Sequence, residues 1–354
     1  MNDLEPQHVR RVRYKGKNPR TFAEKYKEHN PESYAADMEK VIQRGQTPAG
    51  THRPICVTEI MLALRVAPGH VGVDATLGYG GHSVEILKRI QPGGRLYALD
   101  VDSIELPRTE ARLRALGYGP ETLTIRQMNF AGIAKIAAES GPLNFVLADL
   151  GVSSMQIDTP ARGFSYKTEG PLDLRLNSAR GKPAAEFLLG LNKSDLEDLL
   201  IENSDEPHAR QIAEAVHAKI HTGDHIQTTS QLRNTIADAL GFLPMQERMD
   251  EIKKSCQRSF QALRIAVNNE FVVLDQFLAQ LPHVLAPGGR VAILSFHSGE
   301  DRRVKQSFRE LFRAGIYREV APDPIRASAE ECRSNSRASS AKLRWAIKGG
   351  DPVY

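Results

Sequence analysis

The sequence predicts an α/β protein built on a doubly wound, mostly parallel sheet that carries an inserted all-helical subdomain. Two observations predict this fold. Short apolar runs alternate with helix-length segments, which is typical of strands joined by crossover helices in a parallel sheet. The strand signal vanishes from about residue 157 to 262 and then returns. A helical stretch that interrupts such a pattern is expected to be an insertion into the sheet domain.

Four apolar runs are predicted as buried strands, and a fifth run is a weaker candidate. The four span residues 71–76, 95–100, 143–149 and 290–296, and the weaker one spans 123–128. Helices are predicted over 83–90 and 268–281, where apolar residues recur on one face. Two near-identical Pro-Gly-Gly-Arg turns, at 92–95 and 287–290, are predicted to connect a helix to a strand.

The predicted domain organisation has three parts. Residues 1–48 form a basic extension, 49–156 and 263–354 form the sheet domain, and 157–262 form the helical insertion. Between Arg10 and Lys27 there are eight basic residues and one acid, against a net charge of +4 for the whole chain. Such an arm, interleaved with aromatic residues, is typical of a segment that contacts phosphates; the alternative is a solvated tail.

Composition excludes several classes of protein. The chain has 354 residues, of which 41% are hydrophobic and 25% charged, as in ordinary globular proteins. No run approaches the roughly 18 apolar residues of a membrane helix, and the polar start lacks the apolar segment of a secretory signal, so a cytoplasmic protein is expected. Cys56, Cys256 and Cys332 are widely spaced, which argues against a disulfide framework and against a zinc site.

The stretch "VDATLGYGGHS", residues 73–83, predicts a ligand-binding loop between a strand and a helix. Backbone N–H groups at such a turn bind a pyrophosphate or the carboxylate of an amino acid, so the glycines alone do not choose between them. Asp100 ends the next strand and is placed to bind a ribose diol, which again fits either ligand. Asp74 lies before the glycines, where an acid repels a pyrophosphate but accepts hydrogen bonds from an ammonium group. These carboxylates favour S-adenosylmethionine over a nicotinamide dinucleotide.

The segment "ADLGVSSMQID", residues 148–158, places a third acid, Asp149, at the same edge of the sheet, followed by the hydroxyl of Ser153. Methyl transfer to an exocyclic amine requires acceptors that free the nitrogen lone pair, and a carboxylate supplies one. The alternative is that Asp149 caps the next turn.

These motifs resemble the RsmH, or MraW, methyltransferases. The resemblance runs in order through "THRPICVTE", "DATLGYGGHS", "DLGVSSMQID", "RGFSYKTEGPLDLRLN", "FQALRIAVNNEF", "LSFHSGEDRRVK" and "NSRASSAKLR". It departs at Gly299, where the family usually has leucine, at Ser336 and Ser339, at Tyr79 in the glycine loop, and in the long extension.

The resemblance implies a class I methyltransferase fold with a helical insertion and no metal. It implies S-adenosylmethionine-dependent methylation of N4 of a cytidine, cytosine-1402, in 16S ribosomal RNA of the small subunit. The residues it implies as cofactor contacts are Gly80, Gly81, His82, Asp100, Phe130, Asp149 and Gln156, with Phe130 packed on the adenine.

The catalytic candidates are Asp149, Ser153, Asn268 and His297. Asn268 is expected to bond the target base or, alternatively, to cap the helix after it; His297 is expected to shape the base pocket. The candidates for phosphate contacts are Arg162, Arg175 and Arg264, with ordinary ion pairs as the alternative.

Three other functions stay open at this point: a second-copy enzyme with a different RNA site, a nicotinamide-dependent oxidoreductase, and a non-catalytic ribosome-assembly factor. The sequence does not distinguish a monomer from a homodimer.

Overall fold

The structure is a computed structural model that describes residues 54–350. The basic extension, its arm from Arg10 to Lys27, and His52 of the first motif lie outside the described residues.

The described chain forms a seven-stranded sheet with helices on both faces. The strands are β1 Val71–Asp74, β2 Arg95–Asp100, β3 Leu123–Gln127, β4 Leu143–Asp149, β5 Leu285–Ser295, β6 Tyr317–Val320 and β7 Lys342–Lys348. Their order is β3-β2-β1-β4-β5-β7-β6. The first five are parallel, and β7 pairs antiparallel with both β5 and β6. The prediction of a mostly parallel α/β sheet is confirmed.

The helices of the sheet domain cover both faces. They are α1 Val57–Leu64, α2 Gly81–Ile90, α3 Glu105–Ala115, α4 Ile133–Ser140 and the short α5 Ser154–Asp158, followed later in the chain by α11 Glu270–Val284, α12 Ser298–Arg313 and α13 Ala329–Ser334. Alternate residues of a strand point to opposite faces. In β2, Leu96 and Ala98 therefore pack with α1 and α2, whereas Tyr97 and Leu99 pack with α4 and α11.

Five further helices lie between β4 and α11. They are α6 Ala184–Leu189, α7 Lys193–Ser204, α8 Ala209–His221, α9 Thr229–Ala239 and the long α10 Met245–Asn268. They surround a hydrophobic cluster of their own, distinct from the two clusters that line the sheet. The predicted limits of the insertion, 156/157 and 262/263, fall within α5 and α10. The division into domains itself stays a prediction.

Some predicted elements differ from the observed ones. The helix predicted over 268–281 begins at Glu270, since Asn268 ends α10 and Asn269 adopts a left-handed conformation between the two helices. The first Pro-Gly-Gly-Arg turn connects α2 to β2 as predicted. In the second, α11 gives way directly to β5, whose pairing with β4 shifts register across this turn.

From β1 the chain adds β2 and β3 on one side of the sheet, and from β4 it adds β5 on the other side. The strand order therefore reverses between β1 and β4. In such sheets the crevice at the carboxyl ends of the central strands is the usual ligand site. Asp74, Asp100 and Asp149 end β1, β2 and β4, so the structure brings the three predicted carboxylates to this one edge. Among the helices of residues 54–350, none is long and apolar enough to cross a membrane.

Candidate functional site

The glycine loop turns tightly between β1 and α2. Gly78 and Gly80 have φ angles of 47° and 70°, in the left-handed region that favours glycine. A Cβ on Gly81 would lie 2.4 Å from Cγ of Pro54, and one on Gly80 would lie 3.2 Å from the Leu113 side chain. The loop can therefore pack this closely on its neighbours only with glycine at these positions.

Tyr79, the aromatic residue of this loop, faces α3. Its hydroxyl donates to Oε2 of Glu105 over 3.2 Å. The Arg112 guanidinium lies 5.2 Å from the ring centroid and donates to the Tyr79 carbonyl oxygen. Tyr79 thus attaches the glycine loop to α3, which accounts for an aromatic side chain where the family usually has a smaller one.

Asp74 connects the end of β1 to the start of α2. Its carboxylate accepts hydrogen bonds from the Ser83 hydroxyl, at 2.6 Å, and from the Thr76 amide, at 3.2 Å. Burial raises the pKa of Asp74, although these hydrogen bonds oppose the shift. These bonds give Asp74 a loop-holding role, and its predicted contact with an ammonium group stays a prediction.

Asp100 links the glycine loop to the segment after β2. One carboxylate oxygen accepts from the Gly78 amide at 2.7 Å, and the other accepts from the Asp102 amide at 2.9 Å. Burial raises the pKa of Asp100 to about 6. Each oxygen has a second lone pair, so the carboxylate keeps acceptor capacity while its orientation is fixed.

Asp149 has a buried oxygen that the described protein does not use. Its amide donates to the Thr76 hydroxyl at 2.6 Å, and its Oδ2 lies 3.4 Å from Nε2 of His82. Its Oδ1 is buried and has no hydrogen-bond partner within residues 54–350. Buried oxygens without a partner are uncommon in folded proteins, and one at the ligand-binding edge of a sheet is available to accept a hydrogen bond from a ligand.

His82 is buried beside this carboxylate, with 7% of its side chain exposed. Burial by itself lowers the pKa of His82, but the carboxylates of Asp149, Asp74 and Glu331 together raise it above its ordinary value. The carboxylates at the ends of β1 and β4 therefore favour the protonated form of His82.

Ser153 and Gln156 form the start of α5. The Ser153 hydroxyl accepts from the Gln156 amide at 3.2 Å, and the Gln156 side-chain oxygen accepts from the Ser153 amide at 2.8 Å, which is a capping box. Ser153, rather than Asp149, is thus the residue that caps the turn after β4. The Gln156 side chain also donates to Oδ2 of Asp102 over 2.6 Å.

Asp102 is a site residue that the sequence analysis missed. It is 1% exposed, and its Oδ2 also accepts from Nη1 of Arg162 at 2.8 Å. Its other oxygen caps α3 through the amides of Ile104 and Glu105. The available signal was the Asp-Val-Asp spacing after β2, which places a second carboxylate two residues beyond Asp100.

Phe130 lies in a single turn of 3₁₀ helix, Phe130–Gly132, after β3. It packs edge-on against Phe277 of α11, with ring centroids 5.0 Å apart, and only part of it is buried. The ring is available at the same edge of the sheet, and its packing on an adenine stays a prediction.

Asn268 holds a loop rather than leaving a free amide. Its Oδ1 accepts from the Leu176 amide at 2.7 Å, and its Nδ2 donates to the carbonyl oxygens of Leu174 and Arg264, each at 2.8 Å. Both the oxygen and the nitrogen of this amide therefore have hydrogen-bond partners. The alternative, that Asn268 caps the helix after it, is wrong, since Asn268 ends α10.

His297 caps α12 beside Phe271. Its Nδ1 accepts from the Glu300 amide at 3.4 Å, and its ring centroid lies 5.9 Å from that of Phe271. Its Nε2 lies 3.2 Å from Oε1 of Glu300 without the alignment of a hydrogen bond. Burial alone raises the pKa of Glu300, but His297 and Arg264 lower it overall.

The three arginines expected at phosphates are each paired with a carboxylate. Arg162 pairs with Asp102, Arg175 with Asp173 at 2.7 Å, and Arg264 with Glu270 at 2.8 Å. The structure therefore agrees with the alternative interpretation, in which they form ordinary ion pairs.

Two groups of three side chains within the described chain have metal-ligand chemistry. Glu270, His297 and Glu300 lie together, yet Arg264 already compensates the carboxylates. Cys56, Glu59 and Glu331 form the other group. Burial, reinforced by the two carboxylates, raises the pKa of the Cys56 thiol to about 12.

Gly299 packs closely against the ring of Phe271. A Cβ at this position would lie 2.6 Å from Cζ of Phe271. The Phe271 ring is also 4.3 Å from the Arg303 guanidinium carbon. The ring therefore occupies the space that a leucine at 299 would need.

Comparison with known proteins identifies the relatives of this chain. It is 62% identical over 348 residues to "Ribosomal RNA small subunit methyltransferase H 2" of Alkaliphilus metalliredigens, covering 98% of this chain and 100% of the relative. It is 59% identical to "Ribosomal RNA small subunit methyltransferase H 1" of Lachnoclostridium phytofermentans, covering 97% and 94%. A relative named without a numeral, from Halorhodospira halophila, is 38% identical and covers 88% and 98%.

The alignments at 59–62% identity extend into residues 1–48, so these relatives share at least most of the extension. A model of the MraW methylase family matches residues 49–349, which include every motif and strand described above. The chain therefore belongs to the MraW methylase family.

Proposed function

We propose that this protein transfers a methyl group from S-adenosylmethionine to N4 of a cytidine in 16S ribosomal RNA, at the family's position 1402. Membership in a methylase family confirms S-adenosylmethionine as the cofactor. The names of the relatives support small-subunit ribosomal RNA as the substrate. The substrate is the RNA within the small subunit, and the protein works in the cytoplasm.

The residues at the sheet edge fit this cofactor. Asp100 offers oriented acceptors to a ribose diol. The backbone of the close-packed glycine loop lies next to the start of α2. The residues that would hold the cofactor are Gly80, Gly81, His82, Asp100, Phe130, Asp149 and Gln156. When bound, S-adenosylmethionine supplies an electrophilic methyl group on a sulfonium.

The unpartnered oxygen of Asp149 is the observation that carries the proposal. The lone pair of a cytosine amine is delocalised into the ring, so it becomes nucleophilic when an acceptor takes a hydrogen bond from the N–H. Asp149 Oδ1 is such an acceptor, buried at the end of β4. Transfer forms a nitrogen–carbon bond and breaks the sulfur–carbon bond, whose electron pair stays on sulfur; N4 then carries two protons, and Asp149 accepts one of them to give the neutral methylamine.

The other three catalytic candidates act on this centre through the backbone. Ser153 sets the start of α5 directly after the Asp149 loop. Asn268 holds the loop at 174–176, and His297 caps α12 beside Phe271. We assign Asp149 as the catalytic residue, Ser153 and His297 as positioning residues, and Asn268 as a residue that stabilises the loop at 174–176.

The test is incubation of the protein with labelled S-adenosylmethionine and small subunits that lack the modification, followed by digestion and mass-spectrometric mapping of the label. The expected result is one label on N4 of a cytidine at position 1402. Label on a carbon of the ring contradicts the role of Asp149. No label on any RNA, with intact cofactor binding, overturns the enzymatic proposal in favour of an assembly factor.

A second candidate is methylation of another nucleotide by the same chemistry. It is favoured by the contact of Phe271 with Gly299 beside His297, since a leucine at 299 would need the space that this ring occupies and the side chains here would shape the fit of the target base. The mapping experiment separates the two candidates by the nucleotide that carries the label.

A further inference from the structure

We propose that Asp102 is a positioning residue that couples the cofactor edge of the sheet to the helical insertion. A continuous path of hydrogen bonds, centred on the buried pair of Asp102 and Arg162, passes through this one residue. This inference rests on the proposed function, in which Asp100 binds the cofactor ribose.

On the cofactor side, Asp102 is tied to Asp100 and to the glycine loop. Its amide donates to Asp100, whose other oxygen accepts from Gly78. Its Oδ1 caps α3, and Thr109 of that helix donates to the Gly78 carbonyl oxygen at 2.7 Å. A displacement of the ribose-binding carboxylate therefore moves the backbone on both sides of Asp102.

On the insertion side, Asp102 is tied to Arg162. The second guanidinium nitrogen of Arg162, Nη2, donates to the carbonyl oxygens of Arg175, at 3.2 Å, and Leu176, at 2.9 Å. The Leu174 amide donates back to the Arg162 carbonyl oxygen at 3.2 Å. Arg162 thus fixes the loop at 174–176 from one side.

Asn268 fixes the same loop from the other side. It bonds the Leu174 carbonyl and the Leu176 amide, and it ends α10, the longest helix of the insertion. The path therefore runs from Gly78 through Asp100, Asp102 and Arg162 to the loop and on to α10. Every link is a hydrogen bond of 3.2 Å or less.

Burial makes this link stiff. The side chains of Asp102 and Arg162 are 2% and 7% exposed, so water does not replace either partner and the charges attract more strongly than at a surface. Gln156, a proposed cofactor contact, donates to the same Asp102 oxygen. A ligand that orders Asp100 and Gln156 consequently favours one position of Arg162 and of the loop.

The test is hydrogen exchange with S-adenosylhomocysteine as the probe, because it does not require RNA. In the wild-type protein, the probe is expected to slow exchange at the glycine loop and also, at least about fivefold, at the Leu174 and Leu176 amides. The variant D102N/R162M removes both charges together, so it leaves no lone buried charge to unfold the protein. In this variant we expect slowing at the glycine loop to remain and slowing at the remote amides to be lost.

A second variant and a matched control guard against a purely structural effect. R162K keeps a charge opposite Asp102 but lacks the forked guanidinium, which binds Asp102 through one nitrogen and both carbonyls through the other, and it is expected to lose the remote slowing as well. The control, D301N/R344M, removes another buried Asp–Arg pair, at 2.6 Å, that joins α12 to β7 away from this path. It is expected to keep the remote slowing.

Each outcome decides one question. Probe binding to the wild-type protein without remote slowing, or remote slowing that survives in a folded D102N/R162M or R162K variant, overturns the coupling alone. Calorimetry that detects no binding of the probe to the wild-type protein overturns the proposed cofactor site together with the coupling.

Discussion

Two regions of the molecule are equally rich in family motifs and differ in how their polar groups are used. At the end of β4, Asp149 has a buried oxygen with no hydrogen-bond partner in the described chain, beside a buried His82. At the junction of α10 and α11, Arg264 and Glu270 form a bidentate ion pair. Asn268 forms hydrogen bonds through both its amide oxygen and its amide nitrogen.

The difference separates a binding edge from a structural joint. Buried polar groups are normally satisfied within the protein, and at the ligand edge of the sheet the open oxygen of Asp149 is available to a donor on another molecule. A closed network instead resists movement and loses stability when one member is removed. Substitutions at the two regions are therefore expected to move different measurements, activity at the first and stability at the second.

Asp149→Ala is expected to have the largest effect. Loss of the acceptor should lower the rate of methyl transfer about a thousandfold, the upper end for removal of one such group, because the site is buried. The melting temperature should stay unchanged. Single-turnover assays with labelled cofactor and thermal denaturation measure both. The control is Asp173→Asn, which changes a carboxylate that is already paired with Arg175 and should retain the wild-type rate. If Asp149→Ala retains a tenth of the wild-type rate, the catalytic assignment of Asp149 is contradicted.

Arg264→Met should instead lower the free energy of unfolding by about 3 kcal/mol, since it leaves the Glu270 carboxylate unpaired in a nearly buried site. Affinity for S-adenosylhomocysteine should change less than twofold. Denaturant titration and calorimetry measure the two quantities. Arg210→Met, which breaks an exposed pair with Glu214, should cost less than about 0.5 kcal/mol. A large loss of affinity without loss of stability would place Arg264 in the binding edge.

Asn268→Ala is expected to lower the free energy of unfolding by about 2 kcal/mol, because the loop at 174–176 loses partners for buried backbone groups. The chemical step should keep its rate below the melting temperature. The exposed Asn234 provides the control substitution, Asn234→Ala. A drop in rate with unchanged stability would revive Asn268 as a direct contact of the base.

The smallest effect is expected from pH at the binding edge. In the free protein the pKa of Asp100 is raised to about 6, and a ribose diol donates its hydrogen bonds best to the ionised carboxylate. Binding therefore favours deprotonation, so affinity for S-adenosylhomocysteine should fall by up to about tenfold per unit as the pH drops below 6. Calorimetry between pH 5 and 8 measures this. Asp100→Asn should bind more weakly and lose this part of the pH dependence; a persistent full dependence would assign it to another group, such as His82.

Local pattern predicted much of the sheet. The bounds of β2 and β4 match their apolar runs, because a strand that is buried on both faces consists of one nearly continuous apolar stretch. Strands β6 and β7 were not predicted. β6 is only four residues long. β7 contains Lys342, Arg344 and Lys348 among its apolar residues, so it lacks a continuous apolar run. Arg344 is neutralised by Asp301, which lies 43 residues earlier in the chain.

The sequence also placed the three carboxylates at one edge, since parallel strands end together. It did not show which oxygens remain free, because their partners come from distant segments. Leu174 meets Asn268 94 residues later, and the Cys56 amide meets Glu331 275 residues later. Pairings at that range depend on the whole fold, which is why Asp102 was missed and why Arg162 and Arg264 were assigned to phosphates.

The position of β7 between β5 and β6 has a consequence for biosynthesis. The ribosome makes β5 and β6 first, so a nascent chain holds β5 with an unpaired edge until Lys342–Lys348 has emerged. Such an edge pairs readily with other chains. Messenger RNAs truncated between β6 and β7 should therefore yield aggregated protein rather than a partly active enzyme. Emergence of β7 from the ribosome is the step at which the nascent protein can complete its sheet.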